Sequence, residues 1–163
     1  MKTPLLLLIL ASTSLLYAQQ SPPQLYDPKA DAAADLRKAI SIAADEHKQV
    51  FVQVGGNWCS WCKKFDKLIS SDPRIDSIMN ADYVLVRVNY STENKNDSVM
   101  ARLGYPDRFG FPVFVILDSD GNRLHTQDSG LLETGDHHDP TKVLPFLKNW
   151  TRSAVQGPAA RKK

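Results

Sequence analysis

The only two cysteines of this 163-residue chain lie in residues 57–62, Asn-Trp-Cys-Ser-Trp-Cys. Two thiols separated by two residues can close a small disulfide ring when the first lies at a helix N-terminus and the second lies one turn into the helix. Another thiol can easily reopen such a ring. The pair therefore indicates thiol-disulfide redox chemistry, for which we expect no bound cofactor.

The sequence around the pair predicts how it is positioned. Residues 50–54 (Val-Phe-Val-Gln-Val) form a β-branched and aromatic run of strand length, and residues 55–56 are a Gly-Gly pair suited to a tight turn. Downstream, Cys62 and Phe65 are one helical turn apart, so Cys62 should face inward. A strand, a turn and a helix thus deliver Cys59 to an exposed helix N-terminus.

This placement predicts different roles for the two thiols. The free N–H groups and the dipole of a helix N-terminus favour a thiolate, and such settings lower a cysteine pKa from about 8.5 to about 3.5–7.5. We therefore predict that Cys59 is the nucleophile and Cys62 its resolving partner. Lys63 shares the outer face with Cys59 and could support the thiolate, although a lysine that exposed could equally be only solvated.

Two motifs together resemble the thioredoxin superfamily. Residues 58–63 (Trp-Cys-Ser-Trp-Cys-Lys) follow a buried strand, as the active site of that family does, and residues 108–113 (Arg-Phe-Gly-Phe-Pro-Val) match its cis-proline segment. The resemblance implies that Pro112 is cis beside the cysteines and that the backbone of Phe111 pairs with the substrate chain. More narrowly, the chain is similar to exported bacterial thioredoxin-like proteins with a Trp-Cys-x-Trp-Cys site.

The order of elements predicts an α/β, thioredoxin-like fold with a central mixed four-stranded sheet flanked by helices on both faces. The predicted strands are residues 50–54, 83–88, 113–117 and a return strand from Asn122, after a hairpin turn at residues 118–121. The predicted helices begin at Asp27-Pro28, near Cys59, at Asp72-Pro73, before Val99 and at Asp139-Pro140.

The N-terminus has the composition of an export signal. A basic start, a short apolar run and a small residue predict a signal peptide over residues 1–18, cleaved after Ala18; an uncleaved anchor is the alternative, but the apolar run is short for a span. We expect an extended leader at 19–26, the thioredoxin-like domain at 27–153 and a flexible tail at 154–163. The predicted location is periplasmic or secreted.

The net charge of the chain is too small to indicate a strongly charged partner. The formal charge of the whole chain is only +2, which gives no argument for nucleic acid or for a membrane surface. We expect a monomer with no nucleic-acid partner and no stable membrane insertion after signal cleavage.

One position departs from the thioredoxin pattern next to the cysteines. Gln53 stands where thioredoxins place a buried aspartate thought to relay protons for the second cysteine, and an amide cannot act as a general base. Arg87 falls where thioredoxins carry the lysine that faces this aspartate. Because Gln53 supplies no carboxylate for Arg87 to face, an orientation of Arg87 towards solvent remains an alternative.

Two tryptophans flank or separate the cysteines. Trp58 could be a substrate platform or could pack against the cysteine loop, and packing is favoured; Trp61 lies between the cysteines, where exposure and partner contact are expected. With Phe111 and Pro112, these tryptophans are the predicted substrate-binding residues.

A zinc site is the other common use of a Cys-x-x-Cys pair. Structural zinc needs four ligands, and only His137-His138 could supply two more. Adjacent histidines rarely converge with a distant pair, and residues 136–140 have the pattern of a loop before a capped helix. We therefore expect no metal.

The sequence predicts an exported thiol-disulfide oxidoreductase that reduces or exchanges disulfides of other exported proteins, with an unidentified redox partner. A protein-binding module of the same fold, whose disulfide stays closed, is the alternative, and Gln53 is the residue that favours it.

Overall fold

The structure is a computed structural model that describes residues 24–160. The predicted signal peptide and most of the predicted leader lie outside these residues. The helices are α1 (Ala32–Asp45), α2 (Ser60–Ser71), α3 (Pro73–Asp82), α4 (Asp97–Arg102), α5 (Pro140–Asn149) and α6 (Arg152–Ala160). The strands are β1 (Gln49–Gly55), β2 (Tyr83–Asn89), β3 (Val113–Leu117), β4 (Arg123–Asp128), β5 (Glu133–Thr134) and β6 (His137–His138).

Four strands form one mixed sheet in the order β2-β1-β3-β4. β1 pairs in parallel with β2, and Val52 lies opposite Val86; β1 pairs antiparallel with β3, and Val52 lies opposite Val115. β3 and β4 form the antiparallel hairpin, and β5 and β6 make a separate two-stranded sheet. The predicted thioredoxin-like α/β fold with a mixed four-stranded sheet is confirmed.

Alternation along β1 divides the core into two layers. Val50, Val52 and Val54 pack in the cluster that includes α1 and α4, whereas Phe51 packs in the cluster that includes α2, α3 and α5. Because successive side chains of a strand point to opposite faces, Gln53 lies on the same face as Phe51. This places Gln53 beneath the helix that carries the cysteines.

Within residues 24–160, three α-helices begin at aspartate caps, and one of the predicted starts is wrong. Asp72 and Asp139 cap α3 and α5, each before a proline, as expected. The first helix does not start at Asp27: Asp31 Oδ1 accepts a hydrogen bond from the backbone N–H of Ala34, and α1 begins at Ala32. Asp27 caps a short turn instead, because its Oδ1 accepts from the N–H of Lys29.

The start of the described chain differs from the expected extended leader. Tyr26, assigned to the extended leader, is only 1% exposed and belongs to the core around the cysteines. α6 includes part of the predicted flexible tail, but its backbone leaves helical geometry at Gly157, and the side chains from Ser153 to Gln156 are exposed; the flexibility of the tail stays a prediction. Within residues 24–160, no helix is long and apolar enough to cross a membrane.

Candidate redox site

The two cysteines form a disulfide at the start of α2. Cys59 is the N-cap residue, and its Sγ accepts a hydrogen bond from the backbone N–H of Cys62 at 3.1 Å. The Cα atoms of the pair are 5.3 Å apart. The first sulfur therefore lies where free helix N–H groups and the helix dipole stabilise negative charge.

The exposure expected for Cys59 is wrong for this disulfide form. Its residue is only 4% exposed and Cys62 is fully buried. The half-buried side chains of Leu25, Trp61 and Phe111 pack against the pair together with Tyr26 and reduce the access of solvent to Cys59. The disulfide form therefore presents little of the Cys59 surface to solvent.

The segment before β3 adopts the geometry that the resemblance implied. The peptide bond between Phe111 and Pro112 is cis, and this bond directly precedes the strand. The Phe111 ring lies 5.3 Å from the Trp58 ring, edge to face, and 4.9 Å from the Tyr90 ring. Phe111 thus connects the cis-proline segment to the residue that precedes Cys59.

Trp58 is not a packed core residue, so the packing interpretation is wrong. Its side chain is 58% exposed, and its Nε1–H donates a hydrogen bond to the Tyr90 carbonyl oxygen at 2.9 Å. An open groove of about 400 Å³ lies beside it and contains mostly apolar surface. The residues that line this Trp58 groove are Trp58, Tyr90, Ser91, Thr92, Glu93 and Lys95.

Trp61 is half-buried and makes an aromatic contact that the sequence did not predict. Its ring lies 5.2 Å from the His138 ring, and Lys64 Nζ lies over the Trp61 ring, 4.4 Å from its centroid. His138 Nε2 is 3.2 Å from the Trp61 carbonyl oxygen, so this nitrogen carries the proton and donates it. Burial, the largest cause, lowers the pKa of His138.

Gln53 is fully buried beneath α2. Its Nε2 donates to the Tyr26 hydroxyl oxygen at 2.8 Å and faces the Cys62 carbonyl oxygen at 3.4 Å. Within the described part of the chain, Gln53 Oε1 has no hydrogen-bond partner. The predicted supporting residue Lys63, in contrast, is exposed on the surface of α2.

Tyr26 is a site residue that sequence reasoning missed. Its backbone N–H donates to Asn57 Oδ1 at 3.0 Å, and Asn57 Nδ2 donates to its carbonyl oxygen at 2.7 Å. These two bonds attach the segment before α1 to the cysteine loop. Burial raises the pKa of the Tyr26 phenol well above its ordinary value, so the hydroxyl keeps its proton.

Arg87 does not point freely to solvent. Its guanidinium Nη2 donates to the Asp66 carboxylate, and both side chains are partly buried. This ion pair connects β2 to α2, on the same side of the sheet as Gln53. Asp66 was not recognised in the sequence because it follows Cys62 by one helical turn without any motif of its own.

Within the side chains that the structure describes, no group of three or more His, Cys, Asp or Glu is arranged to hold a metal ion. His138, which the zinc alternative would use, instead contacts the backbone of Trp61.

A family model described as thioredoxin-like matches residues 31–119, which is more than half of the chain. The chain belongs to this thioredoxin-like family. The fold, the disulfide at the start of α2 and the cis-proline segment agree with that assignment.

The curated relatives include proteins named for disulfide exchange. The chain is 32% identical over 103 residues to the thiol:disulfide interchange protein DsbD of Salmonella choleraesuis (strain SC-B67), a match that covers 58% of this chain and 18% of that protein. It is 31% identical over 74 residues to DsbD of Escherichia coli (strain K12), covering 45% and 13%. The chain therefore matches only a small part of the length of these relatives.

Solved structures share the fold. The crystal structure of a disulphide isomerase from Xylella fastidiosa Temecula1 superposes with a TM-score of 0.68 and 23% identity, covering 79% of this chain and 98% of that one. A thioredoxin from Thermus thermophilus gives a TM-score of 0.54 and 20% identity, covering 77% and 88%.

Proposed function

We propose that the chain is an exported thiol-disulfide oxidoreductase that reduces or exchanges disulfides of other exported proteins. The observation that carries this proposal is the Cys59–Cys62 disulfide with Cys59 at the N-cap of α2, its sulfur accepting the N–H of Cys62. The similarity to part of DsbD, a thiol:disulfide interchange protein, supports the same class of reaction.

The reaction begins with the dithiol form. The Cys59 thiolate attacks one sulfur of a substrate disulfide, a bond forms between them, and the other substrate sulfur leaves as a thiolate that takes a proton from water. Cys62 then loses its proton and attacks Cys59, which closes the ring and releases the second substrate thiolate. Two electrons pass to the substrate, and a dithiol donor must reduce the ring again.

The residues around the ring suggest how a substrate chain is held. Phe111 and Pro112 would present backbone to the substrate, while Trp58 and Trp61 would contact its side chains. The Trp58 groove lies on one side of this surface. Lys63, exposed one residue after Cys62, would stabilise the Cys59 thiolate only weakly, because solvent screens its charge.

The proposed location is periplasmic or secreted. The support is the signal-like pattern of residues 1–18 and the similarity to DsbD. The proposed partners are disulfide-containing exported proteins and one redox partner that supplies or accepts electrons, and the proposed form is a monomer.

One observation favours a second candidate, a binding module whose disulfide stays closed. Cys59 is almost fully covered in the disulfide form, and Gln53, which is buried beneath α2, cannot accept a proton as a base. Such a protein would bind partners through the same surface without electron transfer.

Insulin reduction by dithiothreitol separates the two candidates. The wild type should accelerate insulin precipitation, and Cys59→Ser should reduce the rate to that of dithiothreitol alone. Ser71→Ala, an exposed change at the far end of α2, is the matched control and should keep the wild-type rate. Equal rates for wild type and Cys59→Ser would refute the enzyme proposal, and a disulfide that resists dithiothreitol in the folded protein would favour the binding module.

A further inference from the structure

We propose that the Tyr26 hydroxyl is the hydrogen-bond donor that stabilises the Cys62 thiolate when this sulfur attacks the mixed disulfide. The inference rests on the oxidoreductase function proposed above and assigns a specific side chain to its second step. The need for such a donor follows from the burial of Cys62, because a thiolate removed from water is costly without a hydrogen bond.

The Tyr26 hydroxyl and the Cys62 sulfur lie against the same glycine. A Cβ placed on Gly55 would be 2.4 Å from Cys62 Sγ and 2.8 Å from the Tyr26 hydroxyl oxygen. Only a glycine leaves room for both groups at the end of β1. The two groups are therefore neighbours, and Tyr26, Cys59 and Cys62 form one buried cluster.

The surrounding hydrogen bonds leave the phenol proton available. Gln53 Nε2 faces two acceptors, the Tyr26 hydroxyl oxygen and the Cys62 carbonyl oxygen, and this fixes the orientation of the amide. The Tyr26 oxygen thus accepts from Gln53, and its own proton is directed elsewhere. In the disulfide form the phenol and the Cys62 sulfur are neighbours without a hydrogen bond; a thiolate is a far stronger acceptor than a disulfide sulfur.

The backbone holds the phenol in place. The two hydrogen bonds between Tyr26 and the Asn57 side chain fix the residue to the loop that carries Cys59. The hydroxyl is consequently preorganised, and little reorganisation is needed when charge develops on Cys62.

The charged groups near the phenol act in opposite directions. Arg87 lowers and Asp66 raises the pKa of Tyr26, but burial is the larger effect and keeps the phenol protonated. At Trp61, in the first turn of α2, His138 contacts the carbonyl oxygen and Lys64 lies over the ring. The α2 N-terminus adds its own positive potential near both sulfurs.

The second step needs only water besides the mixed disulfide and Cys62. The Cys62 thiol gives its proton to water, and Tyr26 donates a hydrogen bond to the resulting thiolate while keeping its own proton. The Cys62 thiolate attacks Cys59 Sγ, the Cys59–Cys62 bond forms, and the bond between Cys59 and the substrate sulfur breaks. The substrate sulfur leaves with the electron pair and is protonated by water.

The test measures the pKa of the Cys62 thiol in the full chain carrying Cys59→Ser, which keeps a capping oxygen at the helix start. The thiolate is followed by its ultraviolet absorbance against pH, with and without Tyr26→Phe. Loss of the donor should raise the Cys62 pKa by about one unit, so that the thiolate fraction below the pKa falls about tenfold.

Tyr83→Phe is the matched control, because Tyr83 is another buried phenol whose hydroxyl donates to the Leu147 carbonyl oxygen at 2.5 Å. It should leave the Cys62 pKa unchanged. Should Tyr26→Phe fail to fold, a fluorinated tyrosine at position 26, a stronger donor, should lower the Cys62 pKa. An unchanged pKa in whichever of the two proteins folds overturns the inference. The measurement needs no substrate, so its result is independent of insulin reduction.

Discussion

The indole N–H of Trp58 donates to the carbonyl oxygen of Tyr90 and thereby fixes the residue before Cys59 to the end of β2. The hydrogen bond and the edge contact with Phe111 hold an exposed ring between the Trp58 groove and the cis-proline segment. A large apolar side chain held rigidly at the surface is suited to contact with a partner chain.

Trp58→Ala should therefore weaken substrate binding more than it weakens the fold. We expect the KM for a disulfide-containing protein to rise about tenfold, which corresponds to about 1.4 kcal/mol of lost contact, with kcat little changed. Trp58→Phe, which keeps a ring but loses the N–H, should lie between alanine and wild type. Steady-state reduction kinetics provide the measurement, and an unaltered KM in Trp58→Ala would exclude a substrate-binding role.

Cys59 should be the thiol that reacts at mildly acid pH. After reduction, iodoacetamide should label the wild type and Cys62→Ser rapidly, whereas Cys59→Ser should react at least about tenfold more slowly, because only Cys59 occupies the helix N-cap. Mass spectrometry of quenched samples gives the rates. Rapid labelling that persists in Cys59→Ser would identify Cys62 as the reactive thiol instead.

The ion pair between Arg87 and Asp66 should contribute modestly to stability. Both side chains are partly exposed, so a double-mutant cycle with Arg87→Met and Asp66→Asn should give a coupling free energy of about 1 kcal/mol or less in urea unfolding. The coupling should shrink in high salt. A cycle that shows no coupling at low salt would mean that the ion pair positions the two side chains without adding to the free energy of unfolding.

His138 should make stability depend on pH. Its pKa in the folded protein is lowered, chiefly by burial, below the value of 6.5 expected for an exposed histidine. The unfolded chain then binds the proton first, so this contribution to stability is complete above pH 6.5 and is lost as the pH falls towards the folded pKa.

The comparison is between wild type and His138→Gln, with the exposed neighbour substitution His137→Gln as control. Urea unfolding between about pH 7 and pH 5 should show a steeper loss of stability in wild type and in the control than in His138→Gln. Parallel pH profiles for all three proteins would contradict the burial of a neutral imidazole at this position.

Local patterns in the sequence were enough to predict the sheet, the caps at Asp72 and Asp139 and the position of the cysteine pair. Alternation and cap signals depend on neighbouring residues, which the sequence displays directly. The predicted start of α1 is wrong because Asp27 and Asp31 are both suitable caps. In the structure, the Asp31 side chain accepts the N–H of Ala34 and so caps the helix.

The remaining site contacts join residues that are far apart in the chain. His138 reaches the Trp61 carbonyl oxygen across 77 residues, and Tyr26 reaches Asn57 across 31. No spacing rule connects such pairs, so neither contact could be predicted from the sequence. The cover over Cys59 was missed for the same reason, since it depends on side chains from three separate segments.

The two bonds between Tyr26 and Asn57 have a practical consequence for anyone shortening this protein. The region recognised by the family model starts at residue 31, five positions after Tyr26. A fragment cut at that recognised border would keep every strand of the sheet but lose the phenol beside Cys62, leaving a hole next to the sulfur. Expression boundaries should therefore include Leu25 and Tyr26, so that the segment packed against the disulfide is kept together with the sheet.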